Sequence, residues 1–238
     1  MNIATMHRAV KLGLDKSSAL ELPAFESEEI DYWLNNAQLK KTKKIVSLIK
    51  ASIGTSPLEI TELNIAPLIK PIVIGVTKAT IGTGNMHYYY TTNFEVIPDN
   101  FLDVLNVRAY VNRTMEDGTT VTNAPVWCKF IGHNDIEQYL STPFNKPYFE
   151  NPVIYSVTKG TEGSGNFGFQ VIADYYTSLV SFLYIQYVRT PIEMSLSSGI
   201  SCELNETLHQ DIVDLAVSML LENIESSRLQ SKVAVDQL

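Results

Sequence analysis

Between Asn205 and Ile224, apolar residues recur at three- and four-residue steps: Leu208, Ile212, Leu215, Ala216, Met219, Leu220 and Ile224. That spacing places them along one side of a helix. Asn205 or Thr207 can cap the free amides at its start, and Glu206 and Asp211 put negative charge near the positive end of the helix dipole. From Ser226 the pattern changes. Ser226, Ser227, Gln230, Ser231, Asp236 and Gln237 are polar, while Arg228, Leu229, Val233, Val235 and Leu238 no longer form a broad stripe. The pattern predicts a core helix followed by an extended C-terminal arm over 226–238. Such an arm cannot bury itself against its own domain, so it is either disordered or covered by a partner.

At the other end, Met6, Ala9, Val10, Gly13 and Leu14 predict a helix from Thr5 to Leu14 that stops near Gly13 or Asp15. Pro23 and Phe25 mark a turn. A second helix starts at Ser27 with Glu28 and Glu29, and carries Ile30, Trp33, Leu34, Ala37 and Leu39 on its apolar side. It then turns basic at Lys40, Lys41, Lys43 and Lys44, continues through Ile45, Leu48, Ile49 and Ile53, and ends at Gly54. These lysines suit the negative end of the helix dipole and a solvated face; contact with a charged partner is the alternative.

From Ser56 to Tyr187 the period changes from helix to strand. Leu58, Ile60 and Leu63 precede Pro67 and Pro71; Ile72 to Val76 is β-branched; Tyr88, Tyr89, Tyr90 and Phe94 are aromatic strand residues. Pro98 to Phe101 makes a turn, Leu105, Val107, Ala109 and Val111 alternate, and Asp117-Gly118 signals a hairpin. Val121 and the run Val126 to Ile131 follow, then a short helical turn from His133 to Leu140. Pro143, Pro147 and Pro152 predict an extended loop anchored by Phe144, Tyr148 and Phe149. Val153 to Lys159 and Phe169 to Tyr176 flank a glycine-rich tip as a hairpin. Leu179 to Arg189 is apolar on both sides, as in a central strand, and Ser195 to Ser201 is a loop into the last helix.

The expected fold is α+β, with an N-terminal helix pair and a long C-terminal helix packed together, a β-rich central domain inserted between them, and the arm. The expected parts are 1–55, 56–189, 190–225 and 226–238. The chain's 238 residues, 45% apolar and 18% charged, give an ordinary globular balance. A net charge of −8 argues against a general nucleic-acid surface. Two cysteines are too few for a disulfide framework, and the N-terminus lacks signal-peptide order. The longest apolar candidate, Leu179 to Val188, is broken by Ser181 and Gln186, so no membrane span is expected. A soluble chain made in the cytoplasm is the expectation.

Gly163-Ser164-Gly165-Asn166-Phe167-Gly168 matches the dinucleotide-binding pattern G-x-G-x-x-G, but Phe169 to Ile172 reads as strand where that pattern needs a helix N-terminus. Gly82-Thr83-Gly84 is a turn without the Gly-Lys-Ser/Thr of a P-loop. His7, His87, His133 and His209 are never three or four residues apart, which disfavours a metal site. Cys128, in an apolar strand, and Cys202, in a loop, have no second cysteine nearby. His133 near Cys128 and the pair Glu116/Asp117 offer no assembled nucleophile or acid. No enzyme activity, catalytic residue, cofactor or metal is expected.

Met6 to Lys16 with Glu28 to Asn35, and Glu203 to Asn205 with Ile212 to Val217 and Glu222 to Ser226, together resemble a neck protein of tailed bacteriophages of the crAss-like group. The resemblance covers about a third of the chain and leaves the β-rich middle unplaced. It implies a structural virion protein of the neck or tail, made in the bacterial cytoplasm. Such a head–tail connector forms a twelve-subunit ring below the portal, touches other neck or tail rings, and surrounds packaged DNA without specific binding. The arm residues Arg228, Leu229, Lys232, Val233, Val235 and Leu238 are then the expected partner-binding set. Alternatives are a carbohydrate- or receptor-binding β module of a virion, suggested by Tyr88 to Tyr90, and an unrecognised hydrolase.

Overall fold

The computed structural model describes residues 1–17, 25–51, 64–80, 87–92, 98, 100–114, 117–132, 135, 138, 153–158, 167–174 and 178–236. The fold is mixed α+β, with three α-helices and mostly antiparallel strand pairing among the described residues. The chain divides into two units, Met1–Ile69 with Thr190–Leu238, and Lys70–Arg189.

In the first unit, helix α1 (Ile3–Ser17) is capped by Asn2, whose Oδ1 accepts the Thr5 amide at 2.8 Å. Met6, Val10 and Leu14, one turn apart, are buried. The helix runs past the predicted stop because Gly13 has a packing role. A Cβ there would lie 2.9 Å from Val217 Cγ2, so the missing side chain lets the C-terminal helix come close.

Helix α2 (Ser27–Ala51) begins with Glu29 Oε2 accepting the Glu26 amide, half of a capping box. Its buried face is Ile30, Leu34, Ala37, Gln38, Thr42, Ile45, Val46 and Ile49. Trp33 and Leu39 are half-buried and Leu48 is exposed, so the inward face is rotated from the one predicted. Thr42 can take part because its Oγ1 donates to the Gln38 carbonyl at 2.8 Å. Leu58, Ile60 and Leu63 lie outside the described residues.

Helix α3 (His209–Asp236) follows a 3-10 turn, Glu206–Leu208, capped by Asn205 Oδ1 on the Thr207 amide at 3.1 Å. Leu208, Ile212, Val213, Ala216 and Leu220 are buried. Lys41 Nζ meets Asp211 at 2.7 Å, tying α2 to α3, while Lys40, Lys43 and Lys44 are exposed. The predicted extended arm is corrected here, because the backbone stays helical through residues 226–236. Propagating an existing helix needs no new nucleus, and Glu225, Arg228, Leu229, Gln230, Lys232 and Ala234 are good helix formers with no Gly or Pro among them.

The second unit carries the strands β1 (Ile69–Thr80, its first residue falling in the first unit), β2 (His87–Thr92), β3 (Phe101–Thr114), β4 (Thr120–Trp127), β5 (Lys129–Phe130), β6 (Val153–Thr158), β7 (Phe167–Asp174) and β8 (Ser178–Arg189). Their order is β4-β3-β8-β1-β2-β7-β6-β5, so β8 is interior, as its two-sided apolar pattern predicts. Pro125, which has no N–H to donate, sits on edge strand β4. The β6/β7 hairpin pairs antiparallel, with Thr158 opposite Phe167. The run Val126 to Ile131 is split at Cys128, whose amide donates to the Val107 carbonyl before β5 joins β6. The core is built on Ile74, Val107, Ala109, Val111, Phe169, Val171, Leu183 and Ile185.

The β3–β4 turn has Gly118 at φ +80°, and the Thr119 amide donates to Asp117 Oδ1 at 2.9 Å, which holds that exposed carboxyl below its ordinary pKa. Farther along, the register slips between Val111 and Arg113, and Asn123 takes φ +53° with its amide donating to Asn112 Oδ1 at 2.8 Å. This is a β-bulge held in the left-handed region that Asn tolerates. Asn123→Val is expected to cost about 1–2 kcal/mol in denaturant unfolding and Asn123→Gly to be near neutral. Equal stabilities for the two variants would show that the bulge carries no backbone strain.

Candidate interaction surfaces

The predicted partner-binding residues Arg228, Leu229, Lys232, Val233 and Val235 all lie on α3; Leu238 lies outside the described residues. At 100° per residue these five positions share one side of the helix, an arc of about 160°. Arg228, Lys232 and Val235 form one edge of it, and Leu229 and Val233, one turn apart, the other. The register that is buried upstream by Ile212, Val213, Ala216 and Leu220 is continued by Ser227, Gln230, Ser231 and Ala234. The face that held the core thus becomes small and polar, and the apolar positions rotate to another side.

Upstream on the same helix, α1 and α3 enclose an open cleft of about 440 Å³ lined by Ala9, Leu12, Gly13, Gln210, Val213, Asp214 and Val217. Leu12 is 53% exposed. Asp214 is exposed on the rim, where its Oδ1 accepts from the Gln210 side-chain amide at 2.8 Å. The cleft is apolar at its floor and acidic on its α3 side, a polarity that sequence spacing within either helix alone does not reveal.

The β unit carries a second partly open face on β3, β4 and β8. Arg108 stands opposite both Trp127 and Tyr184, with its guanidinium 4.0 Å from the Trp127 ring centroid. Tyr110 and Phe182 stack at 4.3 Å beside them, and Asn106 Nδ2 donates to Gln186 Oε1 at 2.6 Å. Trp127 is 56% exposed. Asn106 Oδ1 and Arg108 Nε are buried without a hydrogen-bond partner. The side chains of Tyr88, Tyr89 and Tyr90 lie outside the described residues, so the aromatic cluster seen is a different one from the tyrosine run.

The titratable groups serve packing. His7 Nε2 meets Asp31 Oδ1 at 2.7 Å, both nearly buried, and Asp31 also accepts the Leu196 amide at 3.0 and 3.2 Å. This clasp joins α1, α2 and the loop before α3. His209 Nε2 lies 2.9 Å from the Leu204 carbonyl, to which it donates. Burial pushes the Cys128 thiol up to about 12 and raises that of Cys202, disfavouring the reactive thiolate. Cys128 is expected to resist iodoacetamide at pH 8 until the protein is unfolded; rapid labelling of the native chain would overturn that inertness. His133, Glu116 and Gly163 to Asn166 lie outside the described residues. Phe167 and Gly168, the end of the glycine pattern, are strand residues paired with β6, not the start of a helix. Among the described residues, no group of three or more His, Cys, Asp or Glu comes together to hold a metal ion. No described helix is long and apolar enough to cross a membrane.

No protein-family model and no curated protein sequence matches the chain.

Proposed function

We propose that the chain is a structural protein of a tailed-phage virion, forming a ring in the neck below the portal that joins head to tail around the DNA channel. The observation that carries this reading is the second half of α3, which stays helical to Asp236 while its apolar and basic positions in the sequence move to a new side of the helix. A helix whose apolar side shifts in this way needs a partner to cover it. In this reading α1, α2 and the first half of α3 form the ring body, the β unit is an insertion reaching other neck or tail components, and residues 226–238 reach the portal or an adjacent subunit. The net charge of −8 suits a channel past which DNA slides without adhering.

The test is to mix the purified protein with its portal and measure the mass of the product. A ring of twelve copies on the portal is expected; a compact dimer that ignores the portal would sink the proposal.

A second reading, in which the β unit recognises a glycan or receptor, draws on the Trp127–Arg108–Tyr184 row, since aromatic and Arg side chains with amides beside them suit such contacts. A glycan array separates the two: specific retention that Trp127→Ala abolishes supports recognition, and no retention removes it.

A further inference from the structure

We infer that the outer face of β3, β4 and β8 binds an acidic saccharide, with Arg108 pairing the carboxylate of the sugar. This rests on the second reading, recognition by the β unit, and names its ligand class; it is independent of the ring.

Strand alternation sets the face. Asn106, Arg108 and Tyr110 on β3 and Phe182, Tyr184 and Gln186 on β8 are half-buried, and they alternate with the buried Val107, Ala109, Leu183 and Ile185 of the core. Register puts Trp127 and Tyr184 on either side of Arg108. Arg108 is the one charged group in these rows, and no carboxylate among the described residues pairs with it.

Two polar atoms of the face are buried without a partner: Arg108 Nε, a donor, and Asn106 Oδ1, an acceptor. Each such group costs free energy that a ligand supplying its partner recovers. The two residues are two apart on one strand, about 6.6 Å along its axis. A sugar unit with its substituents covers a distance of that order, its carboxylate accepting from the guanidinium while a hydroxyl donates to Asn106 Oδ1. A bridging water would satisfy the same atoms but leave the charge unpaired and the indole uncovered.

Trp127 is 56% exposed although the Arg108 guanidinium lies over one side of its ring at 4.0 Å, so the other side is open to the apolar face of a sugar. The same stack holds the guanidinium in place before binding, which lowers the entropy lost. A phosphate carries a further charge for which these rows hold no second cation. An acidic peptide offers the carboxylate but no rigid apolar ring with hydroxyls beside it.

The experiment presents the full chain to an array of sialylated and uronic-acid oligosaccharides, each beside its carboxyl-reduced counterpart, and measures retained ones by titration calorimetry. Reduction changes only the carboxylate, so the expected weakening of about tenfold or more is free of any effect on folding. Arg108→Gln should bring the acidic form down to the level of the reduced form and leave the reduced form within about twofold. Asn106→Asp sets a carboxylate of the chain beside the guanidinium and should exclude the acidic ligand, with circular dichroism melting as the control for folding. Equal affinity for the acidic and reduced forms, or retention of neutral saccharides alone, overturns the inference and leaves recognition by the β unit standing. Arg108→Gln weakening both forms equally also overturns it, since Arg108 would then only support Trp127. Retention of acidic peptides and no saccharide overturns it and assigns the face to a protein partner. No retention of any glycan removes the inference and glycan recognition together.

Discussion

Asp31→Ala is expected to lower the stability of the helical unit by about 3 kcal/mol, the scale for leaving more than one nearly buried hydrogen-bond donor without its acceptor. Its carboxylate holds His7 at 2.7 Å and the Leu196 amide at 3.0 Å, so one truncation leaves a buried imidazole and a backbone N–H without their acceptor. Asp31→Asn keeps a side-chain oxygen for one of these donors and should lose roughly half as much. Denaturant unfolding followed by helical circular dichroism reads both. If the Ala variant stays within about 1 kcal/mol of wild type, the clasp is not what holds α1, α2 and the 190–208 loop together.

Ending the chain at Glu225 should separate stability from assembly. Among the removed positions the register buried upstream by Ile212, Ala216 and Leu220 carries only Ser227, Gln230, Ser231 and Ala234, with no large apolar residue, so the shortened protein should melt within a few degrees of the full one. On the proposed ring reading it should nevertheless fail to join the connector, because Arg228, Leu229, Lys232, Val233 and Val235 leave together. Melting curves and co-sedimentation with the portal measure the two effects. A truncated chain that assembles normally refutes a role for the segment, and one that melts far lower shows that the segment belongs to the core.

Local periodicity exposed much of the fold. Met6, Val10 and Leu14 gave α1 its buried side, Leu208, Ile212 and Ala216 marked α3, and Asp117-Gly118 marked the β3–β4 turn. Each signal lies within one element, where side-chain spacing reports directly on burial. The His7–Asp31 clasp leaves no such trace, because its partners are 24 residues apart and its third member is the amide of Leu196. The arm shows a different limit. Loss of the apolar stripe after Ser226 marks a change of register in the sequence, but such a stripe reports which side is apolar, not whether the backbone is helical. The informative signal was composition, with Arg228, Leu229, Gln230, Lys232 and Ala234 free of breakers. The cleft was hidden for a third reason, since Leu12 and Asp214 come from helices about 200 residues apart and no spacing rule joins them.

The unbroken course of α3 also has a mechanical consequence. From His209 to Asp236 it is a rod about 42 Å long, clamped over its first half by α1 and α2. A rod fixed at one end acts as a cantilever, so a push on Val233 is delivered to Ile212 and Ala216 instead of being dissipated by slack chain. In the proposed neck ring, load taken up at the C-terminal end of α3 would reach the root of the same subunit. A glycine pair placed at Ser226 and Ser227 would leave every contact residue in place and remove that stiffness.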